Sequence, residues 1–199
     1  MKHAIILAHP RSGSFCATLA KTCADHLRAG GHEVVVRDLY ALDFDPRLKA
    51  EELPMANGAR PAADIVMERE LVADVDGFIF VYPFWFNAPP AILKGYVDRV
   101  FSMGFGYAPG LGGTESLLDG KTLLSFSTSG APEDWVKDTG ALKALMTVFD
   151  LHLAGVCGLR VLDHCHFGSI VSNMTDESRD ELLDRMRSSL DDLFAPAGG

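Results

Sequence analysis

The sequence has no CxxC spacing among its four cysteines, Cys16, Cys23, Cys157 and Cys165. That sets aside a disulfide framework or a dithiol redox motif and points to reduced thiols, buried as small apolar groups in a cytoplasmic protein. No apolar run approaches the ~20 residues that a membrane helix requires. The stretch Ala4-Ile5-Ile6-Leu7-Ala8 is too short for a signal-peptide core and runs straight into His9-Pro10-Arg11. Positive charge is scarce as well. Eighteen Lys and Arg against 27 Asp and Glu leave a formal charge of −9, which disfavours nucleic acid and anionic membrane surfaces as partners. Neither the GxGxxG of a dinucleotide turn nor the GxxxxGK[ST] of a nucleoside triphosphatase occurs. No internal repeat, linker or second domain is visible, and residues 1–199 suit one α/β domain.

What is present is an alternation of short apolar runs with longer helical patterns, in a chain that is 48% hydrophobic with a mean hydropathy of +0.12. The run from His3 to His9 lacks period-two alternation, as expected for a central parallel strand buried on both faces. Ser14 caps a helix that continues through Arg28 and stops at Gly30-Gly31. Further strands are expected at Glu33–Leu39, Gly77–Tyr82, Thr122–Thr128 and Gly158–Cys165, and helices at Ala62–Val75, from Pro90 to Ser102, over 139–153, and from Asp176 to Leu193 with Thr175 as cap. Residues 40–60, with Pro46, Pro54 and Gly58, read as a polar excursion, Gly104–Gly120 as a glycine-rich loop, and the tail APAGG as frayed. Five strands each followed by a helix describe a doubly wound parallel sheet. With strand order 2-1-3-4-5, ligands bind beyond the carboxyl ends of strands 1 and 3.

Three loops meet there. HPRSGSF, His9 to Phe15, offers small hydroxyl residues and a helix N-terminus, a phosphate cradle or simply a capped polar turn. YPFWFNAPPAILKG, residues 82–95, holds four aromatics among three prolines, which rule out a regular strand and leave a wall for a flat apolar ligand or a core plug. STSGAPEDW, Ser127 to Trp135, brings hydroxyls and Gly130. Together they describe a site for a flat aromatic group with a phosphate tail, which flavin fits better than a nicotinamide dinucleotide.

The chain resembles the flavodoxin-like NAD(P)H:quinone oxidoreductases, the family of DT-diaphorase and of bacterial quinone, nitro and azo reductases. The resemblance runs from about His3 to Phe194 and is most specific at PPAILKGYVDRVF (Pro89 to Phe101), with AHPRSGSF, RDLYALDFDP (Arg37 to Pro46) and TSG (Thr128 to Gly130) in the right order. It implies a flavodoxin-like fold, a bound FAD with FMN as the alternative, NAD(P)H as hydride donor, and two-electron ping-pong transfer to a quinone, nitro or azo acceptor. By position it assigns His9, Ser14, Phe15 and Cys16 to the pyrophosphate, Cys16 standing where the mammalian enzymes have asparagine. It assigns Pro83, Phe84, Trp85 and Phe86 to the isoalloxazine, and Thr128, Ser129 (where glycine is usual) and Gly130 to its pyrimidine side. Arg179 matches an arginine near the adenine, whose accompanying glutamate is replaced by Gly104. Trp85, Phe86, Ser129, Gly130 and Trp135 are the expected catalytic residues. The backbone amides of Ser129 and Gly130 are expected to hold negative charge at N1 and O2, as an oxyanion hole would. Trp135 and Ala141 stand where mammalian members carry a tyrosine and a histidine.

Two other readings share the fold: a flavodoxin-type one-electron carrier, and a flavoprotein subunit regulating a potassium efflux system. The long loop 103–120 and the helix after Trp85 argue against the carrier. Phe105, Tyr107 and Leu111 lie where the family makes subunit contacts, which implies a homodimer. DHCH, Asp163 to His166, puts two histidines on one strand face without a third ligand at a typical spacing, so a polar patch at the strand end is expected rather than a metal site.

Overall fold

The computed structural model describes residues 1–53 and 60–194, so Pro54, Gly58 and the APAGG tail lie outside the described residues. The strands among these are β1 (Lys2–Leu7), β2 (Glu33–Asp38), β3 (Gly77–Pro83), β4 (Tyr107–Gly110), β5 (Gly113–Ser116), β6 (Thr122–Thr128) and β7 (Arg160–Phe167). The helices are α1 (Phe15–Ala29), α2 (Ala63–Val72), α3 (Ala91–Val100), α4 (Glu133–Asp138), α5 (Ala141–Leu145), α6 (His152–Cys157) and α7 (Asp176–Phe194). Five strands form a parallel sheet in the order β2-β1-β3-β6-β7, which is the expected 2-1-3-4-5 topology counted over the sheet's own strands. None of the described helices is long and apolar enough to cross a membrane.

All residues of β3 and β6 are buried, because both faces of the sheet are covered. On one face α1 and α7 bring Leu19, Cys23, Leu27, Leu183, Met186 and Leu190 against Ile5, Val81 and Phe126. On the other, α2, α3 and the segments after α4 bring Ile65, Leu93, Tyr96, Val100, Leu145 and Phe149 against Ile6, Phe78 and Phe80.

Several expectations need correction. The loop expected at Gly104–Gly120 contains the antiparallel hairpin β4–β5. The helix expected over 139–153 is present as one continuous run from Ala141 to Cys157, made of α5, a π-helical turn at Met146–Leu151 and α6, and the short α4 before it is additional. Gly140, at φ +74°, breaks the path between α4 and α5 in a conformation that glycine adopts without strain. Residues 40–53 carry one 3₁₀ turn, Ala50–Glu52.

The two longest motifs of the resemblance pack on each other. Arg99 of α3 is buried and donates to Glu52 at 2.9 and 3.0 Å, to Asp64 at 2.9 and 3.2 Å, and to the Asp45 carbonyl at 2.6 Å. Its guanidinium lies over the Phe44 ring. Gly95 sits against Pro46 so closely that a Cβ there would collide with the Pro46 backbone. Arg37 and the Tyr96 hydroxyl both bond the buried carboxylate of Glu68. This clamp fastens the excursion after β2 to α3.

Candidate functional site

The site is built from the loops that leave β1, β3 and β6. Ala8 continues the ladder, donating its N–H to Val81 O at 3.0 Å. The chain then turns into α1, whose N-cap Ser14 accepts from Ala17 N at 3.1 Å. That leaves the first two helical N–H groups, of Phe15 and Cys16, without an acceptor among the described residues. Beyond β3, Phe84 N–H donates to Thr128 O at 2.6 Å. Beyond β6, Ser129 N–H donates to Phe167 O at 3.0 Å and its carbonyl accepts from Ile170 N at 2.9 Å.

The three loops enclose a cavity of about 140 Å³ lined by His9, Arg11, Ser14, Phe15, Cys16, Pro83, Phe84, Trp85, Thr128, Ser129, Gly130 and Ile170. Every expected cofactor residue is here except Phe86 and Arg179. Arg179 is paired with Asp176 on its own helix, 2.9 Å away, and takes no part in the cavity. Trp135, exposed on α4, also lies outside the lining, as does Phe86. Ile170 escaped the sequence reading because a single apolar pair in GSIVSN carries no motif. Gly13 is exposed, and nothing in the protein stands within 4 Å of a Cβ placed there.

Phe84 plugs the core, at 7% exposure, while Phe86 shows that the tip of the aromatic loop is a turn. Trp85 and Ala88 exchange both backbone hydrogen bonds, at 3.1 and 3.0 Å, around Phe86 and Asn87, whose φ angles are +49° and +57°. This is a two-residue turn of the I′ kind, which favours Asn and Gly at both central positions. A phenylalanine there is strained and wholly exposed. Phe86→Asn is expected to raise the unfolding free energy by about 1 kcal/mol. A urea midpoint that does not rise would show that the turn stores no strain.

The electrostatics favour neutral side chains. Burial foremost, and then the Arg11 charge, hold the His9 imidazole below its ordinary pKa. Its Nδ1 accepts from Arg11 N at 3.0 Å, so Nε2–H is left as a donor. Burial pushes the Cys16 thiol up to about 11 despite its 3.2 Å contact with Thr128 Oγ1. Cys16 is therefore a neutral thiol rather than a nucleophile.

Ser129 departs from expectation. Its amide is already bonded to Phe167 O and cannot serve an oxyanion hole, whereas Gly130 N–H has no acceptor among the described residues. Its hydroxyl instead begins a buried polar chain. Ser129 Oγ lies 2.9 Å from His166 Nε2, and His166 Nδ1 lies 2.8 Å from Ser127 Oγ. Ser127 Oγ lies 2.7 Å from His164 Nε2, and His164 Nδ1 lies 2.5 Å from Asp150. The register makes this possible: Ser125 pairs with His164 and Ser127 with His166, so serines and histidines two apart share one face. The expected polar patch at the strand end is thus a buried network, reached by Asp150 from the π-helical turn.

Comparison with known proteins agrees with this architecture. Residues 1–190 match a family characterised by the flavodoxin-like fold. An uncharacterized NAD(P)H oxidoreductase of Haemophilus influenzae is 38% identical over 171 residues, 85% of each chain. A mouse ribosyldihydronicotinamide dehydrogenase [quinone] is 30% identical over 90% of this chain and 86% of its own. The NAD(P)H:quinone oxidoreductase from Methanothermobacter marburgensis superposes with a TM-score of 0.85 at 26% identity, covering 95% of this chain and 96% of that one.

Proposed function

The chain belongs to the flavodoxin-like fold family, and from that premise we propose that it is a flavin-dependent NAD(P)H oxidoreductase acting on quinone-type acceptors. The observation that carries this reading is the convergence of three loops on one cavity at the switch point of the sheet, with open helix amides at one end and aromatic rings at the other. The names of the Haemophilus influenzae and mouse relatives agree with it.

The residues present fit a flavin. The α1 N-terminus, His9 Nε2–H and Arg11 would hold the phosphates; Phe84 and Trp85 would wall the ring; the Ser129 hydroxyl and Gly130 amide would face its polar edge. A flavin supplies two-electron transfer between NAD(P)H and the acceptor, one after the other at the same face. The protein orients the partners, excludes water and balances charge. A cavity of about 140 Å³ is smaller than the ~300–1,000 Å³ of a full ligand site, so part of a bound flavin would extend over the open face beside Trp85. Phe86, Trp135 and Leu111 are exposed apolar groups that would bury against a second copy in a homodimer. FAD, with FMN as the alternative, rests on the resemblance alone, because Arg179 is paired elsewhere. Location in the cytoplasm and nitro or azo acceptors belong to the same reading.

Purified protein mixed with FAD or FMN should retain one flavin per chain and oxidise NAD(P)H with a benzoquinone, giving parallel lines in double-reciprocal plots. Failure to take up either flavin would refute the assignment.

A further inference from the structure

The Ser129-to-Asp150 network suggests a role that rests on the flavin reading above. We propose that Ser129, His166, Ser127, His164 and Asp150 form a chain that takes up one proton when negative charge arises at the site face beside Ser129, and releases it to the acceptor.

The geometry allows two arrangements. The single hydroxyl proton of Ser129 has two acceptors at 2.9 Å, His166 Nε2 and the Ala131 carbonyl. With Ser129 donating to His166, every link points inward: His166 Nδ1–H donates to Ser127, Ser127 to His164 Nε2, and His164 Nδ1–H to Asp150. With Ser129 turned outward, every link but the last reverses: His164 Nε2–H donates to Ser127, Ser127 to His166 Nδ1, and His166 Nε2–H to Ser129. The outward arrangement holds one more proton, and it rests on His164 against the Asp150 carboxylate. The second Asp150 oxygen accepts from Ser125 Oγ at 2.8 Å, so this pair is hydrogen-bonded at both ends, as a buried charge requires.

Ser127, His164, His166 and Asp150 are all buried, while Ser129 is half-buried at the cavity. Water in the open site meets the chain at Ser129, and a second cavity of about 390 Å³ lies beside His164 and His166 at the other side. Burial first, then the neighbouring His164, depress His166 to about 4, so it carries a single proton near neutral pH and passes protons without keeping one. The charged groups facing the chain are Glu133 and Lys137 of α4, Arg185 of α7, which donates to His166 O at 2.7 Å, and Asp163 of β7, which accepts from His164 N. The Tyr82 ring of β3 meets the His164 ring edge-on, and burial holds its phenol protonated.

The balance closes. NAD(P)H gives two electrons and one proton as hydride; the chain supplies the second proton, drawn from water; both leave on a quinone reduced to hydroquinone. Trp135 and Ala141, where the resemblance expects a tyrosine and a histidine, cannot exchange a proton at neutral pH.

The test is potentiometric. The pH slope of the bound-flavin midpoint potential should report about two protons per two electrons in the parent chain and about one in Asp150→Asn and in His164→Gln. Equal slopes in all three would overturn the proposal. Should Asp150→Asn not fold, His164→Gln, which keeps a hydrogen-bonding group toward Ser127, decides. Nitrogen NMR of the flavin-free protein separates the two readings. His164 gaining its second proton and His166 moving its proton from Nδ1 to Nε2 at one midpoint supports the chain. Independent behaviour of the two rings overturns it, whether or not flavin binds. A protein that binds no flavin but shows the joint change would refute the flavin reading alone.

Discussion

Arg99→Ala should lower the unfolding free energy by about 3–5 kcal/mol, as expected when one partner of a buried ion pair is removed. Arg99 is 1% exposed, and its removal leaves the buried Glu52 carboxylate without its positive partner and the Asp45 carbonyl without this donor. Burial alone would raise the Glu52 pKa. The hydrogen bonds from Arg99 and from the amides of Lys49 and Ala62 outweigh it and hold the carboxylate below its ordinary value. Without the guanidinium, burial prevails and the segment after β2 loses its fastening to α3. Lys94→Ala is the control, since Lys94 pairs with Asp98 at an exposed i,i+4 position and should change stability by less than about 0.5 kcal/mol. Urea unfolding of both variants measures the contrast. Similar midpoints would mean that the clamp adds nothing beyond its packing.

Mild acid should destabilise the fold by a comparable amount. Burial, foremost, depresses both His3 and His166 to about 4 in the folded chain. For His3 the neighbouring His32 adds to this, and its Nδ1 has no partner among the described residues. The unfolded imidazoles take protons near pH 6.5, so the unfolded state binds more protons as pH falls. Stability is then full above about 6.5 and declines toward 4, at up to ~1.4 kcal/mol per pH unit for each histidine. At pH 5 the two together should remove roughly 4 kcal/mol relative to neutral pH. His3→Gln should about halve that loss. A urea midpoint unchanged between about pH 7 and pH 5 would contradict the burial of both rings as neutral species.

The sheet order and the three site loops were legible because they depend on local signals. Continuous apolar runs mark buried parallel strands, and Ser14 and Pro89-Pro90 mark helix starts. What failed depended on partners distant in sequence. The Ser129 amide was available on paper, but Phe167, 38 residues further on, takes it. Two local features also left no mark in the apolar pattern: the left-handed Gly140 that sets α4 apart from the helix of 141–157, and the π turn inside that helix. The buried chain was half visible: SFSTS places serines at 125, 127 and 129, and HCH places histidines at 164 and 166. Only the β6–β7 register and the position of Asp150 join them. The most specific motif, PPAILKGYVDRVF, fastens α3 through Gly95, Tyr96 and Arg99, and none of the three touches the cavity.

The stitching of Phe84 to Thr128 and of Ser129 to Phe167 makes the floor of the site an extension of the sheet. A ligand arriving there meets a surface whose shape was set when the chain folded, so little backbone entropy is lost on its arrival. Adaptability is confined to the rim, where Phe86 and Asn87 sit in a turn held by only two hydrogen bonds. A site so built would distinguish ligands by the fit of their polar edge to a fixed base, and would tolerate variety in the apolar part that leans on the exposed rim.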